Sequence, residues 1–212
     1  MRRPLSPRVS PFFLLLAVAC SSGLRRLPTF HLDDRYQRLI RFEGLGTEIP
    51  IGGDGVYVRF DGLVPDLDVH QTKLLREFGI PASSVRYTNA ATAARTMVVE
   101  FAGGQRCAVV WVKADESRLV NEGRMAHEKF HVVARLVPDR VVQLEQAMAR
   151  KGLPVHLRSF DEETAASIVE VATIHLLGVP IEDIHGSELI QVATKVLAES
   201  RRAAVDPRRP GR

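Results

Sequence analysis

Residues 116–137 read as one helix, and inside it stands His127-Glu128-Lys129-Phe130-His131. Four residues carry a helix about 40° past a full turn, so the two imidazoles lie on one face, one above the other. Imidazoles placed this way can grip a single zinc ion, and Glu128 can reach a water on the same ion. The flanks are apolar, with Met125 and Ala126 before the motif and Val132, Val133 and Ala134 after it. A largely buried helix is therefore expected, and two histidines and a glutamate buried on it without partners are costly. A bound metal supplies the compensation. Lys129, about 100° round the helix from Glu128, is expected to project outward.

The segments around this helix set the fold class. Residues 33–42 have helical spacing at Tyr36, Leu39 and Ile40, and the glycines 44, 46, 52, 53 and 55 mark a turn-rich connection. Val56 to Phe60 alternates as a strand. Residues 66–78 carry Leu67, Leu74, Leu75 and Phe78 at helical spacing and stop at Gly79-Ile80-Pro81. Val85-Arg86-Tyr87 is a weaker strand candidate. Residues 96–101 and 106–113, joined through Gly103-Gly104, predict a β-hairpin. Asp115 or Ser117 can cap the motif helix, and Pro138 lies beyond its end. Helices are then expected over 139–151, from a Ser159-Phe160-Asp161-Glu162 capping box to about Leu177, and over 187–203. A sheet-bearing N-terminal part followed by a helical C-terminal part, with no regular strand–helix alternation, is α+β. One domain over 32–203 follows, with a basic disordered tail over 204–212.

Over about residues 95–178 this pattern resembles the zincins, the metallopeptidases built around His-Glu-x-x-His. The metzincin branch is excluded: its third histidine falls at Val137 here, and no glycine precedes it. In the gluzincin branch the third ligand is a Glu on a later helix. Glu163-Thr164-Ala165-Ala166-Ser167 is similar to the Glu-x-x-Ala-Asp pattern of small gluzincins, with Ser167 in place of the Asp that orients a ligand histidine. Glu163 is the favoured ligand. Glu170 competes, being seven residues on and on the same face, whereas Glu162 is assigned to the capping box. The resemblance implies a small zincin-like domain holding Zn2+ on His127, His131 and Glu163. It also implies Glu128 as the base that takes a proton from the zinc-bound water and returns it to the leaving amine. An oxyanion donor is expected downstream, and His156, His175 and His185 are the candidates. The strand 106–113 corresponds in position to the edge strand on which zincins lay an extended peptide.

The N-terminus predicts location. Arg2, Arg3 and Arg8 precede the short apolar run from Phe12 to Ala19, which ends at Cys20-Ser21-Ser22-Gly23. The run is too short for a bilayer core, which needs about 20 residues, and has the build of a secretory signal. Val18-Ala19-Cys20 resembles a bacterial lipobox, although Ala17 stands where Leu is usual. This implies a signal peptide over 1–19, a lipidated Cys20, a tether over 20–31, and attachment to the periplasmic side of the cell envelope. Ser21, where inner-membrane retention favours Asp, points to the outer membrane. The alternative is a plain secretory signal cut nearby.

Removing residues 1–19, which hold three arginines and no acid, takes the formal net charge from +4 to +1. Five of the remaining arginines crowd into 201–212, so the pI of 9.4 describes the ends of the chain and gives nucleic-acid binding little support. With Cys20 lipidated, Cys107 has no intrachain partner and is expected as a small buried hydrophobe. Three functions stay open: a membrane-anchored metallopeptidase acting on peptides or proteins, a zinc hydrolase of non-peptide amides, and a non-catalytic envelope module with a structural metal. Glu128 separates the peptidase from the structural module, since only catalysis needs its carboxylate.

Overall fold

Alternation along Arg106–Lys113 puts Cys107, Val109 and Trp111 on one side of a strand and Ala108 and Val110 on the other. All five are fully buried, so this strand needs cover on both faces. A computed structural model, which describes residues 32–53, 55–81, 93–101, 103–114 and 117–205, supplies that cover. The expected signal peptide, Cys20 and tether, the strand candidate Val85-Arg86-Tyr87, and residues 206–212 of the tail lie outside the described residues.

The strands are β1 (Tyr36–Gln37), β2 (Leu39–Phe42), β3 (Thr47–Pro50), β4 (Val56–Val64), β5 (Ala94–Glu100) and β6 (Arg106–Lys113). The helices are α1 (Leu67–Glu77), α2 (Arg118–Leu136), α3 (Val141–Arg150), α4 (Glu162–Leu176) and α5 (Glu188–Val205). Four strands form one sheet in the order β1-β4-β6-β5; β4 runs parallel to β6, and β5 antiparallel to it. Helix α1 covers the face carrying Cys107, Val109 and Trp111, with Leu67, Leu74 and Phe78. Helix α2 covers the other face, its Ala126, Phe130 and Val133 sharing one core with Val56, Val58, Ala108 and Val110, and α4 packs on α2 and adds Ile168 to that core. The chain is a mixed α+β domain, as expected.

Residues 33–42 form a turn and the two short strands Tyr36–Gln37 and Leu39–Phe42, contrary to the helix expected there. Ile40 and Phe42 point inward and Arg41 outward, a period of two, and the segment pairs with Thr47–Pro50 as a hairpin. The helical spacing of Tyr36 with Leu39 and Ile40 arises from two different sheets, since Tyr36 pairs with Arg59 on β4. Tertiary pairing overrides a weak local period here. Ile40→Ala is therefore expected to cost about 2–5 kcal/mol. Arg41→Ala, which removes only the exposed pair with Glu48, should cost about 0–1 kcal/mol. Urea unfolding of both variants checks this, and equal costs would contradict the hairpin.

Three smaller expectations also change. The strand Arg106–Lys113 is central, between β4 and β5, and the outer strand next to the motif helix, among the described residues, is β5. A hairpin turn sends the chain inward on its second strand, so the strand following the turn need not be the edge. Helix α5 continues through Ala204 and Val205, two residues into the expected tail. Ser159 does not cap α4: its hydroxyl donates to the His156 carbonyl at 2.7 Å and closes a 3-10 turn. Asp161 is the N-cap instead, accepting from the Thr164 N–H at 2.9 Å and from the Thr164 hydroxyl at 2.7 Å.

Arg59, Asp61, Glu77 and His70 form a polar network on the α1 face, with Arg59 buried at its centre. Arg59 bonds to Asp61 and, at 2.8 Å, to Glu77, while His70 Nε2 lies 2.7 Å from Asp61 and its ring packs on Trp111. These groups pair with one another, on the sheet face away from the motif helix. Cys107 lies beside them, fully buried as expected, with its thiol pushed up to about 12 by desolvation.

Candidate metal centre

Helix α2 crosses the sheet over β6 and β5, with Ala126, Phe130 and Val133 buried beneath it. The opposite side of α2 meets α4, and at that crossing the polar residues converge. His127 and His131 meet edge to face, with ring centroids 5.0 Å apart and planes inclined at 65°. Their Nε2 atoms lie 3.5 Å from different oxygens of one carboxylate, His127 from Glu163 Oε2 and His131 from Glu163 Oε1. A tetrahedron of about 2.1 Å bonds has edges of about 3.4 Å, close to the distance of each imidazole nitrogen from a Glu163 oxygen, and the ligand atoms of the three residues all lie within 4.8 Å of one another. His127, His131 and Glu163 are, among the described residues, the group whose ligand atoms can hold a metal ion. The carboxylate favoured from the sequence thus stands beside both Nε2 atoms, and its side chain is 58% exposed, which leaves an approach from solvent.

The outer faces of both imidazoles are also engaged. His127 Nδ1 lies 3.1 Å from Glu170 Oε2, and His131 Nδ1 lies 2.5 Å from Glu162 Oε1. Glu162 also accepts from Arg135 at 2.7 Å. Each carboxylate faces the ring nitrogen turned away from Glu163, so neither stands with the Nε2 atoms. Glu162 is free for this because Asp161, and not Ser159, caps the helix. The Asp-x-x-Thr pattern at 161–164 was the sequence signal for that cap.

Glu128 is 8% exposed and turns toward β5. The Thr96 hydroxyl donates to it, with its oxygen 2.8 Å from Glu128 Oε2 and 3.0 Å from the Glu128 carbonyl. Nothing in the sequence links Thr96 to the motif; only the pairing of β5 beside α2 brings them together. Burial raises the Glu128 carboxyl above its ordinary value, partly offset by His127 and Thr96, which shifts it toward the basicity of a neutral-pH proton acceptor. Lys129 does not project freely. It is half-buried, donates to the Arg41 carbonyl at 2.6 Å and lies over the Phe60 ring, fastening the hairpin to α2.

The downstream histidines are not drawn into the cluster. His175 lies twelve residues along α4 from Glu163, about 18 Å of helix rise, and is bonded to the Val179 carbonyl. His185 lines a groove between the turn at Ile181–Asp183 and α5. His156 precedes the turn at Leu157–Ser159.

For His127, burial works against the charged ring, but hydrogen bonds to Glu163 and Glu170 outweigh it and raise the pKa to about 9 in metal-free protein. The Glu163 carboxyl is correspondingly lowered by its bond to His127. Because the folded value lies above the ordinary 6.5, this group's stabilisation is complete below about pH 6.5 and is lost as pH rises through about 9. The melting temperature of chelator-treated protein should therefore fall across that window, and His127→Gln should flatten the fall. A level or rising profile in the parent protein would contradict the pairing. Metal and proton compete for the same Nε2, so metal uptake should release protons and tighten with pH over the same range.

Compared with protein-family models, with curated proteins and with solved structures, the chain finds no match in any of the three. The site's own geometry therefore carries the functional argument.

Proposed function

We propose that this protein is a zinc-dependent metallopeptidase of small gluzincin-like build, tethered outside the cytoplasm through lipid on Cys20 and acting on peptides or proteins. The observation that carries this is the shared focus of His127 Nε2, His131 Nε2 and Glu163, with the buried Glu128 carboxylate on the adjoining turn of the same helix. Two neutral nitrogens and one carboxylate form the donor set of a catalytic zinc with a position left for water. A zinc ion held there supplies Lewis acidity to a peptide carbonyl and acidifies water.

The chain's own residues account for the rest. Glu128 takes the proton of the attacking water and delivers it to the leaving amine, so one carboxylate serves as base and then acid. Thr96 pins its Oε2, fixing the other oxygen as the working one. Thr96 lies on β5, whose outer edge takes over the role first expected for Arg106–Lys113: an extended substrate adds alongside it. Thr96 and Val98 share the face of β5 nearer α2, and Val98 is exposed, so an apolar substrate side chain has a surface to rest on. The location rests on the lipobox-like Val18-Ala19-Cys20. No helix among the described residues is long and apolar enough to cross a membrane.

The test is metal analysis and peptide hydrolysis on the purified full chain. One zinc per chain is expected, with cleavage of a mixed peptide library abolished by a chelator and restored by zinc. Protein that takes up no zinc, or cleaves equally well with chelator present, rules the proposal out.

A further inference from the structure

We infer that Glu170 and Glu162 are the positioning residues of this site, fixing the tautomer and ring plane of His127 and His131, so that α4 supplies the third ligand and both orienting carboxylates. This rests on the metal site proposed above. A neutral imidazole carries one N–H, and to offer Nε2 to a cation it must hold the proton on Nδ1. A carboxylate accepts and does not donate, so a carboxylate facing Nδ1 selects that tautomer. Both rings meet this condition, His127 through Glu170 at 3.1 Å and His131 through Glu162 at 2.5 Å.

The zincin pattern keeps its orienting Asp one turn after the ligand Glu, where this chain has Ser167, fully buried. Glu170 lies nearly two turns after Glu163 and returns to the same face of α4, only about 20° off. It reaches His127 because α2 has a glycine at the crossing. A Cβ on Gly123 would stand 3.2 Å from Glu170 Cγ and 2.7 Å from Ile174 Cδ1. Gly123 is one turn before His127 on the same face of α2, so this close approach is what allows a longer acid, placed later, to do what a shorter one does elsewhere. The packing and the hydrogen bond are independent observations that point to the same pair.

The two acids are not equivalent. The Glu170 side chain is 13% exposed, whereas that of Glu162 is 39% exposed and shares its Oε1 with Arg135. Solvent screening and the competing guanidinium weaken Glu162's hold on His131, so His127 is the more firmly oriented of the two ligands.

The test uses the full chain, zinc alone as the probe, and competition with a chromophoric chelator. Glu170→Gln preserves shape and removes charge, and should weaken zinc binding by about 10–100-fold. Glu162→Gln should weaken it by less. Long-range 1H–15N spectra of the zinc-loaded wild type should show both rings protonated at Nδ1, and the His127 Nδ1 signal should shift in Glu170→Gln while that of His131 stays, a change that a merely structural acid would not produce. Wild-type affinity in Glu170→Gln, alongside a Glu163→Ala variant that loses zinc, overturns the inference and leaves the metal site standing. Zinc-loaded rings protonated at Nε2 overturn it as well. Absence of zinc from the wild type overturns the metal site itself, and the inference falls with it.

Discussion

Glu128→Gln is expected to keep its zinc and to lose hydrolysis, with kcat/KM for peptides falling by about 10²–10⁴-fold or more. The amide has the size of the carboxylate and can still accept from Thr96, so the geometry around Glu128 survives. What disappears is a group able to take a proton from water. Glu128 is not among the ligand atoms that cluster at His127, His131 and Glu163, so metal content should be unchanged. The folded state should not weaken either, since an amide is less costly to bury than an ionised acid at this 8% exposed position. Metal analysis, thermal melting and peptide turnover on one preparation separate these quantities. Retained turnover in Glu128→Gln would falsify the catalytic role and favour a structural metal in a binding module.

Glu163→Ala is expected to lower zinc affinity by more than about 100-fold, beyond the range that outer-sphere partners contribute. The remaining histidines cannot complete a three-ligand catalytic set, and neither Glu162 nor Glu170 can substitute, because both face Nδ1 and not Nε2. The Glu163 side chain is mostly exposed, so above about pH 9, where His127 is neutral, the chelator-treated variant should melt close to the chelator-treated wild type. That comparison distinguishes a lost ligand from a lost fold. If Glu163→Ala binds zinc normally and Glu170→Ala does not, the third ligand is Glu170 and the orientation scheme is reversed.

The success of the motif and the failure at residues 33–42 have one cause. His127 and His131 are related by the pitch of a single helix, and that geometry is local. The helices over 66–78 and 187–203 and the hairpin around Gly103-Gly104 were readable for the same reason, each having its period, cap or turn within a few residues. Tyr36–Gln37 and Leu39–Phe42 instead form strands because Tyr36 is claimed by β4 and Ile40 and Phe42 by β3 and the helical core. Those partners lie outside any local window.

The site divides along the same line. Sequence by itself determined the two imidazoles on one face, the acid between them, and a short set of candidate carboxylates on a later helix. It also misjudged Glu162, because two overlapping caps, Ser159 and Asp161, compete for one helix start, and the hydroxyl loses to the carboxylate. Only the tertiary structure decided that Glu163 meets both Nε2 atoms, that Glu170 and Glu162 stand behind the rings, and that Thr96 holds Glu128. Those choices depend on the α2–α4 crossing at Gly123 and on β5 being the outer strand. Helical pitch is a property of the backbone that any window of residues displays; the angle and depth at which two helices meet are set by side chains far apart in the chain, and exist only once the core has closed.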